Sequence, residues 1–221
     1  MVLYTGPLSM FGMKADIALL EKGLPFERVE VAYSAADGYS PKHPEVVRVN
    51  PKRQVPVLIE GDLEIFDSTQ IFEYLEDVAP SPPLWPTEPR DRARARQLEH
   101  LSDEVYFPHV IRLMGMQGAL GEPPALAEID AAEGFCENLE QRLGHQAYLG
   151  GAYSYADIAF YMAQLFGERM GAPLTDATPK LKAWRRRMGE RPSVQTVMAR
   201  FGGYLAANNR PVPEHIQEAG A

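Results

Sequence analysis

Asn50-Pro51-Lys52-Arg53-Gln54-Val55-Pro56-Val57-Leu58-Ile59 is the stretch on which the reading of the chain turns. An apolar, β-branched run begins at Val55, and a proline stands at its second position. Proline has no backbone N–H, so a sheet tolerates it only at an edge, at a strand start, or where the backbone is offered to something else. A cis Val55–Pro56 bond would aim the N–H and C=O of Val55 outward as an unpaired docking edge. Downstream, Asp67-Ser68-Thr69-Gln70-Ile71 opens an amphipathic helix with Ile71, Phe72, Leu75 and Val78 on its apolar stripe. A bare main-chain edge beside a helix N-terminus suits a peptide-like ligand that carries a carboxylate.

Upstream, Val2–Thr5 reads as a short strand closed by Gly6-Pro7. Met13, Ile17, Leu20 and Leu24 recur at helical spacing, with Gly23 as the stop. Phe26–Tyr33 alternates as a strand, which makes a β-α-β unit with a parallel strand pair. Val55–Ile59 and Leu63–Phe66 flank Glu60-Gly61-Asp62 as a hairpin. The first 79 residues therefore predict a small mixed sheet with helices packed on it. Pro80-Ser81-Pro82-Pro83-Leu84-Trp85-Pro86 cannot continue a helix, so residues 80–89 read as a stiff linker. Residues 90–221 read as all-helical. A long helix over Arg90–Gln117 is expected to bend near Pro108. A helix follows over Leu126–Leu143, and Ser154 with Asp157 forms a capping box before Ile158.

Composition narrows the function classes. With 45% apolar and 24% charged residues in 221, the chain is globular rather than disordered. A net charge of −8 argues against nucleic acid as a partner. The sequence contains no apolar run of the roughly 20 residues a bilayer span needs. It shows no secretory leader, and the expected location is cytoplasmic. The single cysteine, Cys136, excludes an internal disulfide, and histidines 43, 100, 109, 145 and 215 are scattered, so no metal is expected.

Taken together, these motifs resemble the glutathione transferase family across essentially the whole chain. The match to its thioredoxin-like domain is Asn50-Pro51 through Val55-Pro56-Val57-Leu58, then Asp67-Ser68-Thr69-Gln70-Ile71-Phe72-Glu73-Tyr74-Leu75. The match to its helical domain is Ser154-x-x-Asp157 and Arg191-Pro192-Ser193-Val194. The loop Pro7-Leu8-Ser9-Met10-Phe11-Gly12-Met13-Lys14 looks most like the serine-type active-site loop of bacterial-type members. In two places the chain departs from the pattern: a glycine is usual at Arg53, and arginine-valine is usual at Lys14-Ala15. The implied fold is α/β plus all-α, a thioredoxin-like domain followed by a helical bundle.

The resemblance implies glutathione as co-substrate and assigns roles residue by residue. Ser9, near the start of helix one, would hold the glutathione sulfur as thiolate, with Tyr4 and Thr5 as rival hydroxyls. A free thiol ionises near pH 8.5, and lowering that by about two units requires about 2.7 kcal/mol of preference for the anion. A charge-assisted hydrogen bond and a helix end can supply it. The backbone of Val55, beside Pro56, would pair with the cysteinyl main chain. Ser68 and its helix N–H groups would take the γ-glutamyl carboxylate, and Asp67 its ammonium, although Asp67 with Gln70 is also a capping pattern. Lys42 and Gln54 would reach the rest of the tripeptide. A hydrophobic electrophile would sit between the domains against Phe11, Tyr106, His109 and Leu113, of which the helical three also suit core packing. Serine in place of cysteine at position 9 disfavours thiol exchange. Glutathione-dependent isomerisation, dehalogenation or ether cleavage, and non-catalytic ligand binding, fit the same fold. The resemblance also implies a homodimer.

Overall fold

The structure, a computed structural model, describes residues 1–34 and 36–218. By packing, the chain forms two compact units. One comprises Met1–Pro82 with Gly189–Ala221, and the other Pro83–Met188. This differs from the expected 90–221 block, because the last segment belongs with the sheet.

In the first unit the elements are β1 (Val2–Thr5), α1 (Met10–Glu21), β2 (Glu27–Glu30), α2 (Pro44–Val49), β3 (Val57–Glu60), β4 (Leu63–Phe66) and α3 (Ser68–Val78). The sheet order is β2-β1-β3-β4. β2 is parallel to β1, while β3 runs antiparallel to both β1 and β4. The second strand is shorter than the expected Phe26–Tyr33: pairing ends at Glu30, and the Val31 N–H makes a last bond to Thr5 O at 2.7 Å. β3 starts at Val57 rather than Val55. Pro56 cannot donate to a ladder, so pairing begins after it. The Val55–Pro56 bond is cis. Leu3, Ile17, Leu19, Leu58, Ile71, Phe72 and Leu75 are essentially without solvent contact, while Val57, next to Leu58 and so on the opposite face of β3, is buried in a separate cluster with Val31 and Val46.

The second unit holds α4 (Pro89–Leu101), a π-helical turn (Ser102–Tyr106), α5 (Phe107–Met114), α6 (Pro123–Leu143), α7 (Tyr155–Arg169) and most of α8 (Pro179–Gly189). α7 is buried from Tyr155 to Gly167 and is the unit's central helix. Tyr106, Phe135, Phe160 and Trp184 pack their rings around it at 5.3–5.5 Å between neighbouring centroids. The expected long helix is α-helical to Leu101, π-helical over Ser102–Tyr106 and α-helical again from Phe107 to Met114. Pro108 lacks the N–H that would continue the i→i−4 ladder, and the chain widens just before it, with the Phe107 N–H reaching Ser102 O.

α9 (Pro192–Ala207) and α10 (Glu214–Glu218) complete the first unit. α9 is fastened to α1 through two carboxylates. Arg191 forks onto Glu21, with Nε to Oε1 at 2.8 Å and a terminal nitrogen to Oε2 at 2.7 Å, and Ser193 Oγ donates to the same side chain. Arg200 and Arg28 both reach the buried carboxylate of Asp16. These cross-links hold the start and middle of α9 to α1.

Candidate active site

Strand register decides which residues can meet. Tyr4 pairs with Val57, and Val57 with Phe66. These three residues mark one end of the sheet. There β1 leaves for Gly6–Ser9, Val55-Pro56 enters β3, and β4 leaves for Asp67-Ser68. Three segments that are far apart in sequence thus turn at a common edge.

Ser9 is the N-cap of α1, in an extended conformation, and its Oγ accepts the Gly12 N–H at 3.0 Å. Its own N–H donates to Gly6 O at 3.1 Å, closing a tight turn. A hydroxyl has one donor and two acceptor lone pairs, so capping leaves the proton available for a second acceptor. Ser9 is 8% exposed, at a helix mouth that favours negative charge. Gly12 allows this packing, since a Cβ there would lie 2.2 Å from Thr5 Oγ1. Thr5 is fully buried, and its hydroxyl has no partner among the described residues. The Tyr4 ring packs against His43 at 4.9 Å.

Asp67 caps α3: its Oδ1 accepts the Thr69 N–H at 3.0 Å and the Gln70 N–H at 3.4 Å. Its φ of 77° is unusual for a residue with a Cβ. Ser68 is 2% exposed at the first position of the helix. Capping and ligand contact are compatible here, because a short cap leaves part of the helix mouth unfilled. Gln54 and Lys42 are exposed. Asn50, to which the sequence reading gave no role, holds the 50–54 loop: its Nδ2 donates to Gln54 O at 2.6 Å, and its Oδ1 accepts the Lys52 N–H at 2.9 Å. Arg53 has φ of 55°, the left-handed region, which accounts for the glycine usual at that position. Lys14 is fully buried, with Nζ 5.3 Å from the Phe11 ring centroid and 5.4 Å from that of Phe72. Phe11 is half-buried.

Two expected electrophile contacts belong instead to the core. Tyr106 and Leu113 have no exposed surface. Tyr106 closes the π-helical turn and, with Val110 and Leu113 of α5, forms one inner stripe, and the Tyr106 hydroxyl presses on Gly167, where a Cβ would lie 2.0 Å away. His109 lies at the edge of that stripe and is partly exposed. Its Nδ1 is 2.5 Å from Glu128 Oε2, and Arg112 Nε donates to Glu128 Oε1 at 2.7 Å. Arg112, seconded by His109, holds the Glu128 carboxyl down to about 2. The sequence reading also missed Tyr39, which touches the Gly6–Ser9 turn from a loop that carries no periodic signal.

A four-stranded mixed sheet with a serine-capped first helix, joined to a helical unit, defines a two-unit protein of thioredoxin-like and all-helical parts. The chain belongs to the glutathione S-transferase family, and so to a family of transferases. The model of that family's N-terminal domain matches residues 3–83, and the model of its C-terminal domain matches residues 105–192. The chain is 34% identical over 193 residues to glutathione S-transferase U25 of Arabidopsis thaliana, covering 84% of this chain and 83% of that one. Among solved structures, it superposes on a tau class glutathione S-transferase from mango, Mangifera indica, with a TM-score of 0.76 at 27% identity, over 99% of this chain and 95% of the other. A glutathione S-transferase from Rhodospirillum rubrum gives 0.79 at 25% identity, over 100% and 99%.

Proposed function

We propose that the chain binds glutathione at the end of the sheet where β1, β3 and β4 turn, holds its sulfur as thiolate with Ser9, and adds it to an electrophilic, largely apolar small molecule. The observation that carries this reading is the register Tyr4–Val57–Phe66, since it brings a capped helix mouth, a backbone ahead of the ladder and a second helix mouth to one edge. In this reading the Val55 backbone pairs with the cysteinyl residue. The start of α3, through Ser68 and Asp67, takes the γ-glutamyl end. Gln54 and Lys42 lie toward the glycine carboxylate. The Ser9 hydroxyl keeps its proton and donates a hydrogen bond to the thiolate sulfur, while the N-terminus of α1 adds favourable potential. The thiolate attacks the electrophilic carbon, the C–S bond forms as the leaving group departs with its electron pair, and the thiol proton goes to solvent. Phe11, half-buried on α1 two residues past Ser9, is the remaining first-unit candidate for contact with the electrophile. Homodimer assembly and a cytoplasmic location are part of the same reading.

A glutathione column and an aryl-halide conjugation assay on wild type and Ser9→Ala test it. The variant is expected to keep glutathione affinity within a few-fold, while the pH at which the bound thiol is half ionised rises by about one to two units. An unchanged ionisation profile, read from the ultraviolet absorbance of the thiolate, would refute the role of Ser9. Failure of the wild type to bind the column would refute the reading as a whole.

A further inference from the structure

Tyr39 lies in the connection between β2 and α2, outside the groups used above. The Ser34 N–H donates to Gly38 O at 2.8 Å and the Gly38 N–H to Ser34 O at 2.9 Å, a bridge that sets Tyr33 beside Tyr39. Their rings are 4.9 Å apart at 68°, edge to face. Tyr39 reaches the turn that carries Ser9 in two ways. Its hydroxyl oxygen accepts the Leu8 N–H at 2.9 Å, and its ring lies so close to Gly6 that a Cβ there would meet a ring carbon at 2.3 Å. On the far side, the Arg210 guanidinium sits 5.4 Å from the centroid of Tyr33. Arg210 follows α9, and its N–H is tied to Leu205 O at 2.9 Å. A continuous series of contacts therefore runs from the segment after α9, through two tyrosines, to the residue before Ser9. Burial pushes the Tyr39 hydroxyl well above its ordinary value, so it stays a neutral hydroxyl at working pH.

We infer that Tyr39 is a positioning residue for Ser9, and that the Arg210–Tyr33 stack makes its setting depend on the C-terminal segment. The inference rests on the proposed role of Ser9. The Gly6–Ser9 turn has one internal backbone bond, Ser9 N–H to Gly6 O, and the Leu8 N–H is met from outside the turn by Tyr39. Hydrogen bonding to sulfur falls off over a fraction of an ångström, so a turn free to rock would lower the thiolate fraction without unfolding anything.

The test is the ionisation profile of bound glutathione in Tyr39→Phe, which keeps the ring against Gly6 and removes only the acceptor. Expected are a rise of about half to one unit in the half-ionisation pH, a three- to tenfold loss of thiolate below it, full recovery at higher pH, and faster hydrogen exchange at the Leu8 amide. The thermal midpoint should move little. Arg210→Ala should shift the profile the same way by less, and Ser9→Ala/Tyr39→Phe should shift it no further than Ser9→Ala alone. If Ser9→Ala moves the profile and Tyr39→Phe does not, this inference falls and the Ser9 reading stands. If neither moves it, both fall. An Arg210→Ala profile identical to wild type overturns the dependence on the C-terminal segment.

Discussion

Asp157 has no exposed surface, and it organises one end of the helical unit. Its Oδ1 accepts the Leu149 N–H and the Trp184 indole N–H, each at 2.9 Å, and its Oδ2 accepts the Ser154 N–H at 2.9 Å and the Ser154 hydroxyl at 3.1 Å. Burial pushes the carboxyl up to about 6, against the pull of these bonds. A capping-box residue is thus also the joint between α7, the 144–154 loop and α8. Asp157→Ala leaves four buried donors to find new partners and should cost about 3–5 kcal/mol, read as a lower urea midpoint with an unchanged slope. A loss of only about 1 kcal/mol would mean that the residue is a cap and nothing more. The Ser154–Asp157 box is visible in sequence because its partners are three apart, whereas Leu149 and Trp184 carry no mark that they share the carboxylate.

At the scale of elements, α5 and α6 are pinned by Glu128. The folded carboxyl holds its charge to about pH 2, while the unfolded one takes up a proton near its ordinary 4.5. The stability it contributes is therefore complete above about pH 4.5 and lost as the pH falls toward 2. Because the pair lies at the surface, screening limits the effect to about 1 kcal/mol. Comparing acid unfolding of wild type and Glu128→Gln should show that difference near neutral pH and none at the acid end. An equal gap throughout would assign the contribution to packing. Periodicity located α1, α3, α6 and the hairpin because each repeats its apolar residues locally. It overextended β2, whose last ladder bond is set by where β1 ends at Thr5. The family resemblance, not the spacing, put Tyr106 and Leu113 toward the electrophile, and the spacing alone suited core packing, because an apolar stripe at helical spacing looks alike whether it faces a ligand or a core.

On the scale of the whole molecule, Lys22 ties the first unit's helices to the start of the linker. Its buried Nζ meets Glu76 Oε2 at 2.5 Å, Ala79 O at 2.8 Å and Pro82 O at 2.8 Å. Lys22→Met takes the cation from a buried carboxylate and should cost about 3–5 kcal/mol by denaturant unfolding, with Lys22→Met/Glu76→Leu recovering much of it. No recovery in the double variant would place the lysine's weight on the two carbonyls instead. Local pattern alone settled the order of strands and helices in the first part of the chain and the helical character of the rest, since propensity, proline and capping act over a few neighbours. Only the folded chain decided that Tyr4, Val57 and Phe66 fall in line, that residues 189 onward return to α1, and that Tyr39 holds the turn before Ser9. Those outcomes depend on register and on contacts between residues tens of positions apart, and single-sequence spacing holds no record of either.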